Sequence, residues 1–140
     1  MVLDKSKEFN SNIQNYLIQD EKLKNLNILK VAKKYKEHQK MVINWYSEGK
    51  MSFPDNLNEP ARTMLTSEGS INRSTHIIYD ETLRNYRSLT PIECELIQMF
   101  PPNWTNTMSE KRRYFMMGNA LVTGIISEIE PILSQIIENE

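Results

Sequence analysis

The chain has 140 residues, 39% of them hydrophobic and 25% charged, enough for one modest core. With a net charge of −1 it reads as soluble, no window reaches the apolar run of about 20 residues that a membrane helix needs, and Met-Val-Leu-Asp-Lys-Ser-Lys at the start lacks the apolar centre of a signal peptide. One cysteine, Cys94, excludes an internal disulfide and fits a reducing cytoplasm.

The charge is graded along the chain. Residues 1–50 hold ten Lys against six acids, residues 51–113 seven basic groups against eight acids, and residues 114–140 four acids with no Lys or Arg. All six Arg lie between Arg62 and Arg113, so contact with phosphates or base edges is expected from the front and the middle. In chain order, Phe9, Ile13, Tyr16 and Leu17 predict one amphipathic helix, and Leu23, Leu26, Leu29, Ala32 and Tyr35 a second. The strip Lys30 to Lys40, with Lys33, Lys34 and Lys36, is a solvated helix face or a phosphate-following one, the first being favoured. Ser-Glu-Gly-Lys at 47–50 and Phe-Pro-Asp-Asn at 53–56 mark loops and a boundary. Thr63 to Thr66 and Thr75 to Tyr79 predict two strands, joined by a polar loop, Ser67 to Arg73, that carries Asn72 and Arg73.

Thr90 is placed as an N-cap, Pro91 as the first helical residue and Glu93 as the capping-box partner. Ile92, Leu96, Ile97 and Phe100 follow at helical spacing until Pro101 and Pro102 stop the helix. A further brief helix is expected from Ser109 through Met117, with Gly118 as its left-handed terminator and Asn119 as the N-cap of the next. The stripe Leu121, Val122, Ile125, Ile126, Ile129, Ile132, Leu133, Ile136 and Ile137 then predicts a helix from Ala120 to Glu130, with Pro131 breaking it before a second piece.

Arg87-x-Leu-Thr-Pro-x-Glu-x-x-x-x-Gln-x-Phe-Pro, followed by a basic-aromatic run and Gly118-Asn-Ala-Leu, resembles the last two conserved blocks of the DNA (cytosine-5) methyltransferases. Arg62-Thr-Met-Leu-Thr66 is similar to the weaker segment before them, at the end of the target-recognition domain; residues 1–55 carry no such resemblance. The resemblance implies chemistry in which a thiolate attacks C6 of a flipped cytosine and C5 takes a methyl group from S-adenosylmethionine. In that family the nucleophile follows a proline and the cofactor rests on a Gly-rich turn. Neither occurs here: Cys94 follows Glu93 inside a helix and reads as a buried small residue, and the four glycines, Gly49, Gly69, Gly118 and Gly124, form no phosphate loop. His38 and His76 lack partners at ligand spacing, so no metal is expected, and Glu93 and Glu95 face different ways on a helix.

The fold expected is α+β, mainly helical with a short β-hairpin, the incomplete C-terminal part of a Rossmann-like methyltransferase. Residues 1–85 are read as the rear of the target-recognition region and 86–140 as helices completing the catalytic domain. By resemblance Asn119, Ala120 and Leu121 border the S-adenosylmethionine pocket, Arg62 and Arg73 approach double-stranded DNA, and no residue here is catalytic. The expected partner is a complementary catalytic chain docked on the stripe from Leu121 to Ile137, without which the chain is inactive, whether as a subunit of a split enzyme or the product of a broken frame. The alternative is a stand-alone helical DNA-binding or regulatory module, or a decayed gene fragment.

Overall fold

The computed structural model describes residues 13–31, 33–39 and 42–139, giving for 33–39 and 42–48 the backbone path. Among them are four helices, α1 Asp20–Lys30, α2 Pro91–Ile97, α3 Glu110–Asn119 and α4 Thr123–Glu138. Two antiparallel hairpins join them, β1 Lys33–Gln39 with β2 Val42–Glu48 and β3 Ile77–Asp80 with β4 Asn85–Ser88.

The front departs from the sequence expectation. Ile13–Tyr16 is a single 3-10 turn, Leu17 bridges to Arg87 beside β4, and Phe9 lies outside the described residues. α1 ends at Lys30, and Val31 is extended (φ −66°, ψ 148°), so no helix reaches Tyr35. The partner strand explains this: Val-Ile-Asn-Trp-Tyr in β2 is rich in β-branched and aromatic residues, and it recruits 33–39 in the register Lys33↔Glu48 to Gln39↔Val42. The Lys strip is therefore no helix face: Lys30 is buried with Nζ donating to Thr75 O at 2.8 Å, Lys33, Lys34 and Lys36 lie on β1, and Lys40 falls outside the described residues.

The second hairpin also differs. Thr63 to Thr66 forms no strand; β3 pairs instead with β4, Ile77↔Ser88 to Asp80↔Asn85. A tight local turn closes this pairing, since Asp80 Oδ1 accepts from Thr82 N and Leu83 N and Arg84 takes φ 50°, whereas pairing with 63–66 would require closing a longer loop.

α2 starts as the sequence dictates, with Pro91 at its first position and a reciprocal capping box between Thr90 and Glu93. It ends before the prolines. Met99 N donates to Leu96 O, Phe100 N donates to Glu95 O, and Met99 takes φ 61°, a Schellman turn with Met in the place usual for Gly. Ser109 precedes α3 without a side-chain cap bond, and Gly118 and Asn119 are its last helical residues rather than a terminator and a following N-cap. The chain is extended at Ala120 and Val122, and α4 then runs unbroken through Pro131. Pro131 lies about a third of a turn round from the line Ile125, Ile129, Ile132 and Ile136, and one omitted N–H bond on that side leaves the helix continuous.

One core joins the two halves assigned from sequence, with Met64, Ile78, Leu89, Cys94, Tyr114 and Met117 packed together and Ile18, Leu26 and Ile77 forming a smaller cluster. α4 stands apart from both: it has no buried residue, and Ile125, Ile126, Ile129, Ile132, Leu133, Ile136 and Ile137 are 43–71% exposed. Glu110–Glu138 is apolar enough by length and composition to cross a membrane, contrary to the expectation that no such window exists. The extended residues between α3 and α4 prevent it from being one straight helix.

Candidate functional site

The motif residues from Arg87 to Arg113 build a set of buried charges. Arg87 is fully buried between β4 and α2, and its guanidinium donates to Glu93 Oε2 (2.8 Å), Glu93 Oε1 (2.9 Å) and Asp80 Oδ2 (2.8 Å). Burial works against that cation, but the two carboxylates outweigh it and hold the Arg87 pKa above its ordinary value. Glu95 points elsewhere, accepting from Arg113 Nη2 at 2.8 Å and from Thr105 N and Oγ1, so it ties the 101–109 loop to α3. Glu93 and Glu95 thus hold the fold, and neither is an acid or base in a cleft.

Cys94 sits between them in the core. Burial, with Glu68, Glu93 and Glu95 nearby, pushes its thiol well above the ordinary range, so at neutral pH it is a protonated packing group. His76 is also buried, its Nδ1 3.1 Å from Glu68 Oε2, and its backbone N–H donates to Glu68 Oε1 at 2.7 Å. Among the described residues no group of three or more His, Cys, Asp and Glu side chains could hold a metal ion.

A groove of about 760 Å³ opens where the 60–64 segment, the end of α2 and the start of α4 meet, with Met64, Ile97, Gln98, Gly118, Ile125 and Ile126 among its walls. Ala120 and Leu121 line it too, and Leu121 is 72% exposed. Asn119 is exposed beside them, and its Nδ2 donates to Phe115 O at 3.0 Å. Gly118 fixes the groove floor, because a Cβ there would lie 2.3 Å from Thr66 N and 2.4 Å from Leu65 C.

Arg62 lines the same groove, but its donors are engaged: Nε and Nη2 fork onto Asp55 at 2.6 and 3.1 Å, and Nη1 donates to Ser74 O at 3.1 Å. Arg73 donates to Leu29 O at 2.9 Å and to Gly49 O, bracing the 67–75 loop against α1 and the 49–51 segment. Asp55 lies at the centre of this bracing. Burial alone would raise its pKa, but Arg62, the Ile77 amide and Lys30 together bring it below 3.8. A carboxylate depressed in the fold stabilises it above the unfolded pKa, and that contribution is lost as pH falls through the lower folded value. Urea midpoints measured from about pH 2 to 6 should therefore fall below about pH 4, and Asp55→Asn should start lower at neutral pH and fall less. An unchanged acid slope in the variant would remove Asp55 from this account.

A profile of the family described as C-5 cytosine-specific DNA methylase matches residues 2–135. The chain belongs to this family. The match extends through the front segment in which the sequence alone showed no resemblance. The methylase chain is also similar to "Type II methyltransferase M.Sau3AI" of Staphylococcus aureus, at 58% identity over 85 residues that cover 61% of this chain and 20% of that protein. It thus spans about a fifth of the length of the curated relative it matches. No solved structure matches.

Arg87, Glu93, Cys94, Glu95 and Gln98 of the methylase motif act as scaffold, which sequence reasoning foresaw for Glu93 and Cys94 and missed for Arg87, Glu95 and Gln98. The signal was available in part: charged residues at 93, 95 and 113 interrupt the apolar pattern of the predicted helices, and such interruptions in a core call for partners.

Proposed function

We propose that this chain is the C-terminal portion of a DNA (cytosine-5) methyltransferase, and that it assists methyl transfer at a catalytic centre supplied by sequence outside these 140 residues. Residues 1–85 contribute the rear of the target-recognition region and 86–140 close the catalytic domain. The observation that carries the reading is the pairing of the family motif with a lone thiol shut in the core, where it cannot form the thiolate that attacks cytosine. S-adenosylmethionine, when bound, supplies the methyl group. Asn119, Ala120 and Leu121 suit an edge of its site: they are partly or fully exposed, they sit at the lip of an apolar groove, and Arg62, the cation in that groove, is bound to Asp55.

Arg62 and Arg73 serve double-stranded DNA by holding the loop between them. Arg62 fixes its rear through Ser74 O, and Arg73 ties its centre to Leu29 O and Gly49 O, so the loop is presented in one shape. The bare face of α4 docks on the catalytic part. Burial of a half-exposed Ile or Leu contributes on the order of 1 kcal/mol, which over the stripe is enough to drive association.

The test is reconstitution with the Staphylococcus aureus relative from which the segment corresponding to this chain has been removed. Methyl transfer to DNA is expected only when both parts are present, and the chain alone should form no covalent adduct with DNA carrying 5-fluorocytosine. An adduct formed by the isolated chain and abolished by Cys94→Ser would overturn the reading.

A further inference from the structure

We propose that the surface receiving α4 is an apolar protein cleft with Lys or Arg on both rims, met by Glu128 and Glu130 as the two parts assemble. The inference rests on the reading above, that α4 docks on a catalytic part outside this sequence. The stripe of α4 is exposed along its length, and among the described residues nothing covers it. At roughly 100° per residue, the two glutamates bound it on either side. Glu128 lies beside Ile125 and Ile132 on one edge and Glu130 beside Ile126 and Leu133 on the other, while Ser127, Ser134 and Glu138 take the back of the helix. Both edge carboxylates are exposed.

The helix itself does not account for these acids. α4 has none in its first turn, where the dipole would favour one, and no Lys or Arg in its last. Residues 114–140 hold four acids and no Lys or Arg, so neither glutamate has a cation three or four residues away, and among the described residues no cation pairs with either from elsewhere. Glu130 Oε1 accepts from Ser134 Oγ at 3.0 Å, which holds it along the helix edge. Charge then sorts the occupants. Two α4 helices from separate copies would bring acid to acid at their edges, whether parallel or antiparallel. A lipid surface calls for the reverse pattern, an apolar face flanked by Lys and Arg. A protein cleft rimmed with cations matches both edges while covering the stripe between them. The alignment covers 20% of the matched relative, so ample chain lies outside it to supply such a cleft.

Rim charges act mainly on the rate of encounter, so the experiment follows association by stopped flow with the relative lacking the corresponding segment, from low to high salt. It compares wild type, the neutral variant Glu128→Gln with Glu130→Gln, and the reversed variant Glu128→Lys with Glu130→Lys. All three should melt at the same temperature, because the exchanged side chains are exposed, and the neutral variant decides the matter alone if the reversed one folds poorly. Wild type should associate fastest at low salt and slow as salt rises. The neutral variant should be severalfold slower and flatter in its salt dependence, and the reversed one about tenfold slower and speeded by salt. Equal low-salt rates for wild type and the neutral variant would overturn the inference while docking stood. No binding by wild type would instead remove the docking reading and this inference with it. Sedimentation of wild type alone and flotation with phosphatidylcholine–phosphatidylserine vesicles cover the other occupants: a dimer that excludes the relative, or chain carried up with the vesicles, would overturn it as well.

Discussion

Glu93→Ala is expected to lower the unfolding free energy by about 3–5 kcal/mol, the cost of breaking a buried ion pair from one side. The Glu93 carboxylate accepts both terminal nitrogens of Arg87 and the Thr90 N–H at 2.9 Å, so its removal strands a guanidinium and opens a helix cap together. Arg87 cannot escape by losing its proton, because a guanidinium stays protonated in ordinary conditions and, against the effect of burial, Glu93 and Asp80 raise its pKa further here. Asp80 would remain as a partner through Nε at 2.8 Å, and this keeps the loss within the stated range. Small domains have only about 5–15 kcal/mol in total, so a large shift of the urea midpoint should follow. Replacing both partners, as in Arg87→Met with Glu93→Leu, should recover much of the loss, since apolar groups of similar volume need no pairing. A single variant melting within about 0.5 kcal/mol of wild type would show that the pair contributes little.

What could be read from the sequence was local. Thr90, Pro91 and Glu93 stand within four residues of one another, and their chemistry fixes a helix start without outside help, as observed. The stripe of α4 was equally plain, and among the described residues nothing buries it. Pairings that depend on distant residues were misjudged. Residues 33–39 have a helical apolar spacing behind Leu23 and Leu29, yet the β-forming run Val42 to Tyr46 makes them a strand. Thr63 to Thr66 has strand composition, but Gly118 brings α3 against its backbone and the local hairpin at 77–88 takes the pairing. The groove was hidden for the same reason, since its walls come from three stretches between 60 and 126. The family resemblance led to the family whose profile matches residues 2–135, but it gave Arg87, Glu95 and Gln98 no task. Arg87, Glu95 and Gln98 proved to bind the stretches together.

Gly118→Ala should destabilise the chain, although Gly to Ala inside a helix ordinarily stabilises by about 0.5–1 kcal/mol through lower backbone entropy in the unfolded state. Gly118 is the ninth residue of α3, so propensity alone favours alanine. Packing reverses the sign. The added Cβ would lie 2.3 Å from Thr66 N, 2.4 Å from Leu65 C and 2.5 Å from Thr66 Cα, and all three are backbone atoms that no rotamer change can move. Relief requires α3 to back away from the 61–66 segment, which would loosen the contacts of Met64 and Met117 in the core and widen the groove. Overpacking of this kind costs about 1–3 kcal/mol, more than the propensity gain. Helical content should persist, since alanine is at home in α3, while the thermal midpoint falls by several degrees, roughly 3–8 °C for a chain of this size. Gly124→Ala provides the contrast, because the neighbour there is the thioether end of Met99, an exposed side chain that can turn aside. If Gly118→Ala melts at or above the wild-type temperature, the close approach of α3 to Thr66 does not hold the groove together, and the docking surface must be drawn without it.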